Sequence, residues 1–281
     1  MPPVAVFNCL ACLGWSAVNA IVGAQLLRAV NSSVPGWGAI IALAAGTLII
    51  TLFGYKAVHY YEMVSWFPCF IVYLLVLGEF ARSGSFSNVK MGTGTSEVAS
   101  VLSFAASIFG FGTGWAAMAA DYACYQPVAT KKWKIIVWVF VGMMFPLCFL
   151  EMLGLAVGAA TAKNESYLTA YNENRIGGLL ATALFPRWGG FGKFLVIVLA
   201  LSTVGNNCPN MYSLAFCLQV LTRHAQKVPR CIWTLVGTLI YVAIAIPGFS
   251  HFEAVLENFL LVIVRWTPAI HGEATHLTSI I

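Results

Sequence analysis

The sequence predicts an all-α integral membrane protein with about eight spanning helices, and two observations support this fold class. Apolar residues make up 60% of the 281 residues, whereas charged residues make up only 9%. A soluble protein carries roughly 25% charged residues, so this chain has too few to cover a water-facing surface. The apolar residues also lie in long continuous runs, unlike the short alternating segments of a membrane β-barrel.

Eight apolar runs approach or reach the roughly 20 residues that a spanning helix needs. Polar or basic linkers separate the runs, Pro127 ends the fourth run, and the eighth run is short. The longest linker, 161–189, contains Tyr, Asn, Leu and Ile residues that favour a short surface helix. The predicted spans are 4–27, 36–54, 63–80, 99–123, 135–160, 190–220, 230–249 and 252–266.

Two short basic linkers, 128–134 and 222–230, orient the chain. The positive-inside rule places both in the cytoplasm, and counting the crossings then assigns the remaining linkers to the other side. Those outer linkers are 28–35, 81–98 and 161–189. The two Asn-x-Ser sequons begin at Asn31 and Asn164, and both fall in predicted outer linkers. We therefore expect a multi-pass protein of the plasma membrane.

Residue types argue against several other classes of function. The net charge of +5 is small and comes from short clusters between apolar runs, which is typical of membrane topology rather than of nucleic-acid binding. Cys9 and Cys12 form a Cys-x-x-Cys motif that has no second pair and no histidine cluster, so neither zinc, nor disulfides, nor another cofactor is expected. The five histidines lie at predicted span ends, in linkers or in the tail, and no arrangement of catalytic groups predicts an enzyme.

Polar or helix-breaking residues at membrane depth are costly and need a reason, and four places contain them. The first is Gly14-Trp15-Ser16-Ala17-Val18-Asn19, where Trp15 and Asn19 share a helix face because they lie four residues apart. A flat indole beside an amide that donates and accepts hydrogen bonds suits a planar heterocycle. For this pair alone, an interhelical amide contact beside a packing tryptophan is the favoured alternative.

The second place is Gly110-Phe111-Gly112-Thr113-Gly114-Trp115, inside the fourth span. Three glycines at alternate positions weaken a helix by about 1 kcal/mol each, which is tolerated where unwound backbone lines a cavity. Close helix packing is the alternative explanation.

The third place, 121–127, lies at the cytoplasmic end of the same span. There we expect Asp121 to have a structural or gating role, for example by pairing with a basic linker residue.

The fourth place lies in the sixth span and has the highest density of polar and helix-breaking residues. Its sequence is Ser202-Thr203-Val204-Gly205-Asn206-Asn207-Cys208-Pro209-Asn210. Pro209 frees a carbonyl one turn earlier, and Asn206 and Asn210 share a helix face. Three amides, a proline and two hydroxyls within nine residues predict a substrate or ion site.

Glu151 lies inside another apolar run and is a candidate proton relay. The alternatives are that its carboxyl lies near the outer boundary of the membrane or forms a hydrogen bond between helices.

These motifs together resemble the nucleobase–cation symporter family, specifically its purine–cytosine permease branch. The resemblance covers Met1 to about Ile263. It is carried by Gly14-Trp15-Ser16-Ala17-Val18-Asn19, by Gly112-Thr113-Gly114-Trp115 with Ala120-Asp121-Tyr122 and Tyr125-Gln126-Pro127, and by Ser202-Thr203 with Asn206-Asn207-Cys208-Pro209-Asn210-Met211-Tyr212-Ser213. The resemblance implies a twelve-helix transporter with two inverted five-helix repeats. It also implies symport of purine bases and cytosine with a proton by alternating access.

The resemblance further implies the roles of individual residues. The base stacks between Trp15 and Trp115, and amides set the choice of base. The implied substrate-binding residues are Trp15, Asn19, Gly114, Trp115, Asn206, Pro209 and Asn210. Among them, Gly114 lies where the family's sixth helix unwinds, and Pro209 shapes a kink. Ser202 and Thr203 are the nearest match to the hydroxyls that bind sodium in cation-binding relatives, but this branch is generally proton-coupled, so no metal is expected.

The resemblance is incomplete in a way that bears on transport. If the first run corresponds to the family's third helix, residues 1–263 form one transmembrane domain matching helices three to nine and part of ten. Residues 264–281 break the apolar pattern and are expected to be a disordered or mis-spliced tail. Because alternating access needs both inverted repeats, a truncated permease is expected. The alternative is a non-transporting protein that binds a partner, or a pseudogene product.

Overall fold

The computed structural model describes residues 2–119, 121, 124–127 and 129–263, and within these ranges it is helical and contains no strand. Its α-helices are α1 (Pro2–Val30), α2 (Gly36–Leu52), α3 (Tyr55–Ser83), α4 (Thr95–Gly114), α5 (Lys132–Ala159), α6 (Glu165–Leu221), α7 (Arg230–Gly248) and α8 (252–263). A 3₁₀ turn, Trp115–Met118, directly follows α4. The predicted tail, 264–281, lies outside the described residues.

Six helical segments of the described chain are long and apolar enough to cross a bilayer. They are Val4–Val30, Tyr55–Ser83, Thr95–Gly112, Lys132–Ala162, Glu165–Leu221 and Arg230–Ile263. Helix α2 is apolar but shorter, and α7 and α8 belong to one continuous segment. The predicted all-α membrane class is confirmed, whereas the count of eight crossings and the inverted repeat stay predictions.

Helix α6 contains two breaks that divide it into three parts. Asn174 and Arg175 leave helical dihedral angles, with a φ of 48° at Arg175, and Gly189 does so with a φ of 47°. Glycine takes this left-handed conformation at little cost. The last part therefore starts at residue 190, where the sixth span was predicted to begin. The preceding residues of the 161–189 linker are helical from Glu165 onwards, capped by Asn164, whose side-chain oxygen accepts a hydrogen bond from the Ser166 amide at 3.0 Å.

The centre of the fold is the contact between α1 and the last part of α6. Their facing side chains, among them Ile21 of α1 with Met211 and Leu214 of α6, are almost fully buried. Helices α2 and α7 pack on the same pair. By contrast, most described side chains of α4 and α5 are exposed, including Trp138, which is 72% exposed. Exposed apolar side chains on a spanning helix are suited to contact with lipid.

Candidate functional site

A cavity of about 1250 Å³ lies between α3, α4 with its 3₁₀ turn, α5 and α6. Most of its lining side chains are apolar, and a few polar ones face the same space. The polar lining side chains are Glu62, Ser65, Gln126, Ser202 and Asn206. Small-molecule sites combine apolar walls with a few polar groups in this way, although their volumes are usually roughly 300–1,000 Å³. This cavity is larger, as expected where α5 packs loosely on its neighbours.

Trp115 lines the cavity at the point where the helix type changes. Helix α4 ends at Gly114, and Trp115 begins a 3₁₀ turn that runs to Met118. The change from 3.6 to 3.0 residues per turn rotates the following side chains relative to those of the α-helix. The three glycines before Trp115 lower the stability of the α-helix, which favours such a change. The half-buried indole of Trp115 thus reaches the cavity from irregular backbone.

Four amide and carbonyl groups form a chain of hydrogen bonds between α6 and α1. The Asn206 amide Nδ2 donates to Asn19 Oδ1 at 3.1 Å, and Asn19 Nδ2 donates to Asn207 Oδ1 at 2.9 Å. Asn207 Nδ2 in turn donates to the backbone carbonyl of Ser16 at 3.2 Å. Of these residues, Asn206 lines the cavity and is exposed, whereas Asn207 is buried. The amide that a ligand can reach is therefore held in place by a network whose far end, at Asn207, is buried.

Asn210 and Pro209 lie one turn further along α6. Asn210 is buried, and its Nδ2 donates to the backbone carbonyl of Asn206 at 3.3 Å, so it supports the turn that carries Asn206. Pro209 lines the cavity and lacks the N–H that would bond to the carbonyl of Gly205. The helical dihedral angles continue through Pro209, so no break in them accompanies the predicted kink.

Trp15 lies beside the site and is absent from the described lining of the cavity. Its ring makes edge-to-face contacts with Phe111 of α4, at 5.2 Å between centroids, and with Phe259 of α8, at 5.1 Å. Its Nε1 also lies 3.5 Å from where a Cβ of Gly114 would stand. Trp15 is therefore packed against the residue that precedes Trp115.

Ser202 and Thr203 point in different directions. The Ser202 hydroxyl lines the cavity and donates to the carbonyl of Leu199 at 2.7 Å. The Thr203 hydroxyl donates to the carbonyl of Ala200 at 2.7 Å and lies against Gly23 of α1. The structure thus brings only Ser202 of this pair into the cavity.

An aromatic cluster joins three elements at the predicted cytoplasmic end. The rings of Tyr55 and Tyr125 stack with centroids 3.9 Å apart, and the hydroxyls of Tyr125 and Tyr212 lie 2.8 Å apart. The Arg230 guanidinium lies over the Tyr212 ring, 4.5 Å from its centroid, and is within electrostatic range of the Asp121 carboxylate. Asp121 therefore has a basic linker residue nearby, which is the arrangement considered from the sequence.

Sequence reasoning missed two residues of this region. Asn207 belongs to the polar cluster at 202–210, but its position next to Asn206 gives no sign that it reaches Asn19. Glu62 lies outside the four polar places of the sequence, yet it lines the cavity. The signal that could have found Glu62 is a carboxyl directly before the third apolar run. Glu151 lies on α5, half-buried, and is not among the described lining residues.

Apolar helices around a cavity that presents an indole, an amide and a carboxyl are features expected of a membrane transporter for small molecules. The chain belongs to the family described as permeases for cytosine/purines, uracil, thiamine and allantoin, which it matches over residues 2–270. The resemblance seen in the sequence is thereby confirmed, and the family consists of transporters rather than enzymes. Together with the apolar helices, this membership makes the protein an integral, multi-pass membrane protein.

Similar proteins carry related names. The chain is 57% identical over 263 residues to the purine-cytosine permease fcyB of Emericella nidulans, covering 93% of this chain and 52% of that protein. It is 40% identical over 260 residues to the purine-cytosine permease FCY2 of Saccharomyces cerevisiae, covering 91% and 49%. The vitamin B6 transporter TPN1 of Saccharomyces cerevisiae is 33% identical over 268 residues, with 94% and 46% covered. The chain therefore spans about half the length of these curated relatives. No solved structure matches it.

Proposed function

We propose that this protein transports purine bases and cytosine across the plasma membrane by proton symport with alternating access. One observation carries the proposal: Trp115 and Asn206 line the same cavity, and the amide of Asn206 is hydrogen-bonded to Asn19 on the central helix α1. An indole face recognises the π-surface of a base, while an amide donates to and accepts from its edge.

The remaining predicted residues support this site in the proposal. Asn19 fixes the orientation of the Asn206 amide, and Asn210 holds the turn that carries it. Trp15 packs against Gly114 and so supports the backbone from which Trp115 projects. Stacking tolerates every base, so the amides are the groups that choose between purines and cytosine.

The names of the relatives support the choice of substrate. Identity is 57% and 40% to purine-cytosine permeases and 33% to a vitamin B6 transporter, which favours bases over vitamin B6. Alternating access and the five-plus-five inverted repeat come from the family resemblance.

The binding half of the proposal is tested by replacing Trp115. Equilibrium binding of radiolabelled cytosine and hypoxanthine is measured on the purified chain, with pyridoxine as a competitor. Because stacking on an aromatic side chain contributes about 1–3 kcal/mol, Trp115→Ala should weaken binding by about 5- to 150-fold. Trp138→Ala, a change at an exposed position of α5 outside the described cavity lining, is the matched control and should leave affinity unchanged. Equal affinity in the two variants would refute the site.

Transport needs a separate measurement, since a chain can bind bases without moving them. Uptake is measured in cells that lack base permeases. The cells express either this chain or a chimaera in which it replaces the matching region of the Emericella nidulans permease. Uptake by the chimaera and its loss with Trp115→Ala support transport through this site. Binding without uptake in both would favour a non-transporting form that acts through a partner.

A further inference from the structure

Glu62 is the only ionisable side chain among the described residues that line the cavity. It lies on α3 one turn before Ser65, which lines the same cavity, and within the candidate span Tyr55–Ser83. An ionisable group inside a spanning segment is costly to keep and usually marks an ion or proton pathway. The two sequence motifs that defined the site, on α4 and α6, do not account for it.

The packing of α3 on α6 fixes the position of Glu62. The absence of a side chain at Gly205 lets the two helices approach, because a Cβ there would stand 2.9 Å from Tyr61 Cε1 and 3.5 Å from Ser65 Oγ. The Tyr61 hydroxyl also donates to a backbone carbonyl of α6 at 2.9 Å. Glu62 lies between these two contacts in sequence, so it is held against the turn of α6 that carries Asn206.

Among the described residues, two further titratable groups lie near Glu62. From α6, the thiol of Cys208 lies within electrostatic range, and from its own helix the phenol of Tyr55 does so. His59, one turn earlier on α3, stacks on Tyr55 with ring centroids 5.6 Å apart. The lining side chains from α4, its 3₁₀ turn, the 124–127 segment and α5 are uncharged. Within the described lining, the charge of the cavity therefore changes with pH through Glu62.

We infer that the carboxylate of Glu62 is the proton-binding site of the symport, an inference that rests on the proposed function. In each cycle, an O–H bond forms between this carboxylate and one proton from the outer solution. The base binds beside it at Asn206. After the cavity opens to the other side, the O–H bond breaks and the proton passes to water there. One proton and one base move per cycle, and no further reactant is needed.

This placement has a thermodynamic consequence. If protonation of Glu62 strengthens base binding, then base binding must raise the proton affinity of Glu62 by the same factor. Couplings between linked sites begin at about 5-fold. We therefore expect base affinity to fall as the pH rises from about 4 to about 8, with a total change that approaches the coupling factor only where the carboxyl passes from fully protonated to fully ionised.

Glu62→Gln tests the inference, because glutamine resembles the protonated acid and cannot titrate. In this variant, affinity for cytosine and hypoxanthine should stay at the tighter value and vary less than about 2-fold over the same pH range. In the chimaera, exchange of internal for external base should persist while uphill accumulation is lost. Glu62→Asp should restore pH dependence. Glu79→Gln, a change on the same helix outside the described cavity lining, is the matched control and should keep the wild-type pH response.

The outcomes separate this inference from the proposed function. Affinity that still responds to pH in Glu62→Gln would overturn the inference while leaving base transport intact. Loss of binding in both Glu62→Gln and Glu62→Asp, in protein that elutes as a single folded species, would also overturn it, because it would make Glu62 a structural or substrate contact. A wild-type chain and chimaera that bind no base would instead refute the proposed function itself.

Discussion

Replacement of Asn207 by alanine tests whether a residue outside the described cavity lining controls substrate affinity. Asn207 is only 2% exposed, and it accepts a hydrogen bond from Asn19 and donates one to the carbonyl of Ser16. The Asn207→Ala variant loses both bonds. It leaves the Nδ2 group of Asn19 without the acceptor that orients it, and Asn19 in turn positions the amide of Asn206.

The magnitude follows from these bonds. Interhelical hydrogen bonds in membrane proteins average about 0.6 kcal/mol, and a buried polar group left unsatisfied costs about 1–3 kcal/mol. Two lost bonds and one disoriented amide therefore lower the free energy of unfolding by about 1–3 kcal/mol. If about 1 kcal/mol of this is expressed in binding, base affinity falls about 5-fold.

A double-mutant cycle is the assay, with binding free energies measured for wild type, Asn207→Ala, Asn19→Ala and the double variant. Because Asn207 acts through Asn19, its replacement should have little further effect once Asn19 is alanine. Asn258→Ala is the matched control, since Asn258 is exposed on α8 and its hydrogen bond among the described residues stays within its own helix, to the carbonyl of Ala254. Fully additive effects of the two replacements would refute the reasoning, because they would show that the residues act independently.

Two further predictions concern helix contacts that only glycine permits, and both are measured by thermal unfolding in detergent. In Gly205→Ala, the added methyl group would collide with the Tyr61 ring and force α3 away from α6, which should lower the free energy of unfolding by about 1–3 kcal/mol. An unchanged unfolding midpoint would show that the Tyr61 ring moves aside freely. Gly177→Ala would place a methyl group on the backbone carbonyl of Gln25, which cannot rotate away, so its loss should be at least as large. Gly154→Ala is the control for both, because it makes the same replacement inside a helix at a position where no neighbouring atom lies within 4 Å of the added Cβ. It should unfold at a midpoint no lower than that of the wild type.

Hydropathy predicts the elements of this fold well because long apolar runs are the physical requirement for crossing a bilayer. It even places the start of the last part of α6, since Gly189 is the point where the chain leaves helical dihedral angles. It fails at the start of α3. The predicted third span began at residue 63, because Lys56, His59 and Glu62 lower the apolar content, but the helix begins at Tyr55. The excluded turn is the one that carries Glu62.

Residue spacing predicts which side chains share a face, but not which neighbour that face meets. Trp15 and Asn19 do lie one turn apart on α1, as their spacing predicts. Yet Asn19 contacts α6, whereas Trp15 contacts α4 and α8. The alternative of an interhelical amide contact therefore describes part of what Asn19 does. Binding and packing are compatible in this case, because the amide that Asn19 holds, Asn206, lines the cavity.

The proposed substrate and proton sites meet at one turn of α6, around Gly205 and Asn206. On one side this turn is tied to α1 through amide hydrogen bonds, and on the other it is in close contact with α3. A shift of α3 relative to α6 would therefore change the surroundings of Glu62 and Asn206 together. Coupling between proton and base then needs no long pathway through the protein, because one local packing contact affects both sites. For this reason, Gly205→Ala should alter the pH dependence of base binding as well as stability.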